Sequence, residues 1–171
     1  MIRPIVQHPD PILHRPSAPV GAVTDETRAL LADMLETMYA AKGRGLAGVQ
    51  VGVLQRVVVV DVAWKEGAPE PLRFVDPEVL WMSDEKALRE ERCLSIPDRP
   101  TPVLRSTSVR LRYRDEGGAE RERTFEGLLA MVMQHELDHL NGILFVDHLT
   151  PLLRNMLMRK LAKEQKAKAA G

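Results

Sequence analysis

The chain has 171 residues, with 24 basic and 24 acidic side chains, 44% apolar residues and a single cysteine. That length and apolar fraction build one buried core without disulfide or metal staples, and the balanced charge gives no global pull toward nucleic acid or an acidic partner. No apolar run is long enough to span a bilayer, the opening Met1-Ile2-Arg3-Pro4-Ile5-Val6 lacks the apolar core of a secretory signal, and one cysteine excludes an internal disulfide framework, which together point to a reducing, cytoplasmic setting.

Residues 1–23 hold five prolines, at 4, 9, 11, 16 and 19, which forbid a continuous helix. They predict an irregular arm packed over the domain by Ile2, Ile5, Ile12 and Leu13. His8 and His14 read as polar surface groups or local hydrogen-bonders rather than metal ligands. Thr24 is a natural N-cap, with Asp25 and Glu26 in the first turn. Leu30, Leu31, Met34, Leu35 and Met38 recur at helical spacing, so a helix runs to about Ala41 and stops at Gly43.

Next comes Gly43-Arg44-Gly45-Leu46-Ala47-Gly48-Val49-Gln50-Val51-Gly52, with four glycines in ten residues. No Lys-Ser/Thr follows, and the segment leads from helix to strand, so it is neither a phosphate loop nor a dinucleotide fingerprint. Two readings stand: a tight helix-to-strand connection, or a groove wall whose backbone lies along a substrate. In the second, Gln50 aims its amide donor at an oxygen that gains charge during reaction.

Residues 53–62 are β-branched and continuous, predicting a buried strand. A polar loop at 64–71 precedes a short strand at 72–75, which Asp76-Pro77 breaks, and a third strand at 79–82. Residues 85–92 predict a strand with one wet face. Within Glu91-Arg92-Cys93-Leu94-Ser95-Ile96-Pro97, a lone cysteine in apolar surroundings is usually an inert core residue. Residues 101–105 are extended, 108–113 alternate, and Asp115-Glu116-Gly117-Gly118 is a hairpin turn from which 119–123 return. Thr124 is the expected cap of the next helix, whose buried side is supplied by Phe125, Leu128, Leu129, Val132 and Leu140, and Asn141-Gly142 ends it.

That helix carries Gln134-His135-Glu136-Leu137-Asp138-His139. Residues four apart share a helix face, so His135 and His139 can each point one nitrogen at a single metal ion, with Glu136 beside them to take a proton from water. A Cys93 thiolate joining the two imidazoles makes a three-ligand site with a fourth position open, as a hydrolytic metal site requires. His148 is kept as a minor candidate for supporting the ligands from behind. Residues 143–146 are expected to form a short strand. Thr150-Pro151 starts a last helix with Leu152, Leu153, Met156, Leu157 and Leu161 on one face. It carries six basic residues (Arg154, Arg159, Lys160, Lys163, Lys166, Lys168) against Glu164 alone: a solvated helix, or a surface for an anionic partner.

Three pieces together resemble the motifs of peptide deformylases: Gly-x-Gly-Leu-Ala-x-x-Gln-x-Gly at 43–52, Glu-x-Cys-Leu-Ser at 91–95, and Gln-His-Glu-x-Asp-His-Leu-x-Gly at 134–142, in that family's order. The resemblance covers nearly the whole chain. It implies an α+β fold with antiparallel β-sheets wrapped around a central H-E-x-x-H helix, flanked by an N-terminal and a C-terminal helix. Residues 1–150 would form the catalytic domain and 151–171 a basic helix and tail. The metal would sit on Cys93, His135 and His139, in this family usually ferrous iron with zinc, nickel or cobalt as substitutes. The reaction implied is release of formate from the N-formyl-methionine of nascent chains. Glu136 would be the general acid/base, Gln50 and the Leu94 N–H would stabilise the oxyanion, and Gly45, Leu46 and Arg92 would line the substrate groove. The C-terminal helix is similar to one that bacterial relatives dock on the ribosome; no membrane and no sequence-specific nucleic-acid partner is expected.

Two positions depart from the pattern. Arg92 stands where the family has glycine beside the cysteine, and a long cation there either crowds the groove or pairs with an acidic group. Gly48 replaces an alanine, a change expected to loosen the loop. Two other readings therefore stand beside deformylation: a deformylase-like metal protein with another acylated substrate or slow turnover, and a small H-E-x-x-H metallopeptidase.

Overall fold

The computed structural model describes residues 1–170, the side chains of Pro97 and Asp98 excepted. Strands β1 (Gly45–Ala47), β2 (Val57–Val60), β3 (Leu72–Met82), β6 (Ser108–Arg114) and β7 (Glu120–Glu126) form one antiparallel sheet in the order β1-β2-β3-β6-β7, and β4 (Lys86–Cys93) pairs with β5 (Ile96–Ser106) as a separate hairpin. Helices α1 (Asp25–Ala40), α2 (Gly127–Leu140) and α3 (Pro151–Ala170) complete the α+β fold, with the H-E-x-x-H segment in α2. None of the described helices is long and apolar enough to cross a membrane.

The layers follow from strand parity. Val57 and Val59 face α1, packing with Leu30, Leu31, Met34, Leu35, Met38 and Leu46. Val58 and Val60 face α2, packing with Ala130, Met133, Leu137 and Leu140 and with Phe74, Leu111 and Phe125 of neighbouring strands. A strand covered on both faces has no wet side, so β2 reads as an unbroken valine run rather than an alternation. The predicted cap of α1 is present: Thr24 Oγ1 accepts from the Thr27 N–H at 3.3 Å, and Thr27 Oγ1 accepts from the Thr24 N–H at 3.2 Å. A third cluster joins Leu13, Cys93, Ile96, Val103, Phe145, Val146 and Leu161, tying arm, hairpin and α3 together.

Several expectations are corrected. Asp76-Pro77 does not break a strand; β3 continues through it with a register shift, at a cost met by Asp76, whose backbone has φ +50° and whose carboxylate accepts from the Val20 and Gly21 N–H groups at 2.7 and 2.9 Å. The strand at 53–62 shrinks to Val57–Val60, because residues 53–56 are bonded elsewhere: the Val53 N–H donates to Gly48 O, and Leu54 O and the Arg56 N–H bond to the Ala18 backbone. Thr124 is not a cap: it lies in β7, and Glu126 occupies the N-cap without a side-chain bond, with Gly127 at φ +64° making the turn. Leu128 and Leu129 are only half-buried, while Met131 and Met133 do the burying that they were expected to do. Residues 143–146 give no strand; Phe145–His148 is a 3-10 turn whose apolar side chains fill the third cluster. Ile2 is 56% exposed, so the arm is anchored by Leu13 and by backbone bonds instead. Leu152, Leu153 and Met156 are exposed, and α3 touches the domain through Leu157 and Leu161.

Candidate metal centre

His135 and His139 lie one turn apart on α2, with Nε2 atoms 3.2 Å from each other, and Cys93 Sγ lies 3.4 Å from His139 Nε2. All three donor atoms fall within 4.8 Å of one another and all three residues are buried. Cys93 reaches them because it ends β4, where the hairpin turns back at Leu94-Ser95.

The donor set fits a divalent cation on its own chemistry. His135 Nδ1 lies 2.8 Å from Glu91 Oε1. Burial would raise the Glu91 pKa, but bonds from Arg105 and His135 outweigh it and hold the group at about 2, so Glu91 only accepts and Nδ1 must donate. Nε2 of His135 is thereby turned toward the sulfur and the other imidazole, the orientation that metal-binding histidines take from such a carboxylate. Burial keeps His139 well below the ordinary histidine range, aided by the charges of His135 and Arg105, so its imidazole is neutral. Burial also penalises charge on His135, yet its bonds to Cys93 and Glu91 overcome this and lift its pKa; an incoming cation displaces protons held in this way.

Behind these ligands runs a polar chain to the surface. Arg105, 5% exposed, grips Glu91 in bidentate fashion at 2.6 and 2.9 Å and reaches Asp138 Oδ2 at 2.7 Å. His148 Nε2 meets the same Asp138 oxygen at 2.7 Å, which places His148 at the outer end of this chain, four contacts from His135. Arg105 was not singled out by sequence. Its signal was parity: Thr101, Val103 and Arg105 all face inward on β5, and an inward arginine needs a buried carboxylate.

In front lies a cleft of about 850 Å³ lined by Gly43, Arg44 and Gly45 on one side, residues 89–94 on the other, and Gln50, His135 and Glu136 at its floor. Burial pushes the Glu136 pKa up to about 7, partly opposed by the His135 charge, and its Oε2 has no partner among the described residues. A Cβ at Gly45 would stand 2.7 Å from Glu136 Oε1 and 3.0 Å from Val132 Cγ1, so any side chain there would displace the Glu136 carboxylate. Gln50 is buried and oriented: Oε1 accepts from the Ala47 N–H at 3.0 Å, which turns Nε2 toward Ser95 Oγ at 3.2 Å and Cys93 Sγ at 3.7 Å.

The N-terminal arm fixes both sides of this floor. The Val6 N–H donates to Gln50 O at 2.7 Å, Gln7 Nε2 to Leu94 O at 3.0 Å, and the His8 N–H to Ser95 O at 2.8 Å. The proline-rich arm carried no sequence signal for this. Leu46 contributes no side chain to the cleft; it is fully buried against α1. Arg92 lines the cleft, is exposed, and makes no ion pair among the described residues, so of the two alternatives the pairing with an acidic group is not seen. Gly48 does not loosen its loop: a Cβ would meet the carbonyl oxygens of Gln55 and Val53 at 2.9 and 3.0 Å, so the turn closes too tightly for alanine.

A cysteine sulfur and two imidazoles around one point, with a carboxylate facing a cleft beside them, are a donor set suited to a metal ion, on an H-E-x-x-H helix. A family model described as polypeptide deformylase matches residues 2–155. Peptide deformylases from Rhizorhabdus wittichii and Phenylobacterium zucineum are each 49% identical, the first covering 99% of this chain and 98% of its own, the second 97% and 98%. Among solved structures, a peptide deformylase from Ehrlichia chaffeensis superposes with a TM-score of 0.91 at 33% identity over 99% of both chains, and one from Legionella pneumophila with 0.90 at 40% over 100% and 99%. The chain belongs to the polypeptide deformylase family, metal-dependent hydrolases that remove the N-formyl group from nascent peptides.

Proposed function

We propose that this chain releases formate from N-formyl-methionyl peptides with Cys93, His135 and His139 holding one divalent ion, ferrous in the cell, for which zinc, nickel or cobalt can substitute. The observation that carries the reading is the convergence of one sulfur and two Nε2 atoms beside a cleft-facing carboxylate. Thiolate and imidazole donors suit both iron and zinc. Such an ion, when bound, supplies Lewis acidity at the formyl carbonyl and makes water a usable nucleophile near neutral pH.

The chain's own groups do the rest. Glu136 takes a proton from the attacking water and passes it to the amine nitrogen as the C–N bond breaks; a carboxyl held near pH 7 both accepts and gives. Gln50 Nε2 and the Leu94 N–H donate to the oxygen that gains charge, a contribution of about 100- to 1000-fold for a single donor. Strand β1 is the outer strand of its sheet and β4 belongs to a two-stranded hairpin, and both line the cleft. An extended peptide fits between them as an added strand, pairing with Gly45 and passing Arg92. A peptide deformylase from Acinetobacter baumannii has been solved with Met-Ala-Ser bound, which supports a short methionyl peptide as ligand.

Residues 1–150 act as the catalytic unit in this reading, and the basic tail 151–171 as a contact for an anionic partner, the ribosome. The setting is the cytoplasm, where Cys93 stays a free thiol. The test is formate release from formyl-Met-Ala-Ser under anaerobic conditions beside an unformylated internal peptide. Formate alone supports the proposal. Cleavage of the internal peptide instead would make this a metallopeptidase, and co-sedimentation with ribosomes that survives loss of residues 151–171 would remove the docking role.

A further inference from the structure

The rim of the cleft is basic. Lys42, Arg44, Lys65, Arg89 and Arg92 line it, contributed by the connection between α1 and β1, by the loop before β3 and by β4. The acidic side chains in the same lining do not balance them. Glu91 is consumed by Arg105 and His135, Glu136 lies at the floor beside the candidate ligands, and at the rim Glu90 remains. Among the described residues only Arg44 has an ion-pair partner, Glu66 at 3.3 Å. Lys65 registers its neighbours: after burial, the charges of Arg44, Arg92 and Lys42 lower its pKa against the opposing pull of Glu66. These cations therefore share one region.

The loop that carries Lys65 is built rather than loose. Asp61, 1% exposed, accepts from the Ala63 and Trp64 N–H groups through Oδ1 at 3.0 and 3.1 Å, and from the Glu70 N–H and Tyr39 hydroxyl through Oδ2 at 3.0 and 2.6 Å. Trp64 stacks edge-on against Tyr39 and donates its indole N–H to Gly43 O at 2.9 Å, which fixes the loop to the glycine segment of the cleft wall. Lys65 Nζ lies 5.6 Å from the Trp64 ring centre. The loop under the cation is thus set beside the cleft by buried hydrogen bonds, and five like charges held together with fewer acidic groups among them favour an anion.

We propose that this rim selects formylated peptides with acidic residues directly after the methionine. The inference rests on the deformylase reading of the same cleft. A peptide laid between β1 and β4 advances about 3.3 Å per residue with alternating side chains, so residues two and three pass between the two walls that carry the cations. Carboxylates there find Lys42, Arg44, Lys65, Arg89 and Arg92 in a partly enclosed cleft; lysines meet repulsion.

The experiment measures kcat/KM for formate release from formyl-Met-Glu-Ser, formyl-Met-Ala-Ser and formyl-Met-Lys-Ser at low ionic strength. The expected order is Glu, Ala, Lys, with the extremes separated by at least about 10-fold, the lower end of what charge focusing in clefts gives. The separation shrinks at about 1 M salt, where screening acts over about 3 Å, and Lys65→Glu narrows or inverts it. Each ratio is internal to one enzyme preparation, so partial misfolding of a variant does not distort it. Equal kcat/KM for the three peptides, or an order unmoved by both salt and Lys65→Glu, overturns the proposal. If no peptide releases formate, the catalytic reading fails; calorimetric binding of Met-Glu-Ser against Met-Lys-Ser then decides the charge preference by itself.

Discussion

The two sides of the centre treat charge in opposite ways. Behind the ligands, Arg105 is buried and gripped by two carboxylates, Glu91 is gripped by two cationic donors, and the chain ends at His148 on the surface. In front, Glu136 keeps an oxygen with no partner among the described residues and the cleft rim collects cations with little acid between them. Buried charges are tolerated only when paired, so the back is a rigid frame whose value is orientation. In the proposed reaction the unpaired groups at the front take substrate atoms as their partners. Paired charge is concentrated behind the candidate ligands, and the unpaired Glu136 oxygen stands beside the cleft.

The largest effects should separate these two sides. His139→Ala removes a donor, and metal content and formate release both fall to background. Glu136→Gln keeps the shape but cannot accept a proton, so kcat falls by about 100- to 10,000-fold, the range for a lost general acid/base, while metal content stays that of the parent. Elemental analysis alongside formate assay reads both. Metal loss in the Glu136 variant would mean that this carboxylate belongs to the frame and not to the reacting side.

A smaller effect sharpens the same division. Glu91→Gln leaves volume intact but weakens the grip on the His135 Nδ1–H and leaves Arg105 short of one countercharge. Metal affinity should drop by about 10- to 100-fold, as outer hydrogen-bond partners of ligands typically cost. At saturating metal, kcat should recover, because Glu136 and Gln50 are untouched. A chelator competition titration measures the first, and a metal-saturated rate measures the second; a kcat that stays low at saturation would place Glu91 among the groups that act on substrate.

Much of the frame was legible because it is local. His135, Glu136 and His139 share one helix turn, and the valine run of β2 and the heptad-like apolar spacing of α1 announce their burial. Cys93 came from donor chemistry and motif likeness rather than from spacing. The register shift at Asp76-Pro77 was not legible, since proline in a strand argues for a break unless a distant group, here the Val20-Gly21 backbone, repairs the turn. The same holds for the arm: Val6, Gln7 and His8 fix Gln50, Leu94 and Ser95 through backbone atoms and one amide, contacts between segments far apart in sequence that side-chain patterns do not encode. Gly48 shows the limit of reading by analogy. The pattern makes it an alanine position, yet the carbonyls of Val53 and Gln55 close over it in this chain.

The smallest effect concerns how the front wall holds Lys65. Tyr39 is pushed up to about 12 by burial and by its hydrogen bond to Asp61, whose charge opposes a tyrosinate. A folded-state pKa above the unfolded value of 10 contributes stability that is full below pH 10 and is lost as pH rises through 12. Replacing Tyr39 with Phe should therefore leave stability between pH 10 and 12 less dependent on pH, and should delete the ionisation step near 12 from the tyrosinate absorbance titration. The chain has only two tyrosines, so the missing step is readable. The variant also frees Asp61 Oδ2 of one donor and the Trp64 edge of its partner, loosening the loop under Lys65. The preference for Glu over Lys after methionine should then weaken without vanishing, because Arg89 and Arg92 are carried by β4 and Arg44 directly precedes β1. A Tyr39→Phe protein that kept the step near 12 would show that the hydroxyl does not face Asp61, and the front wall would need another support.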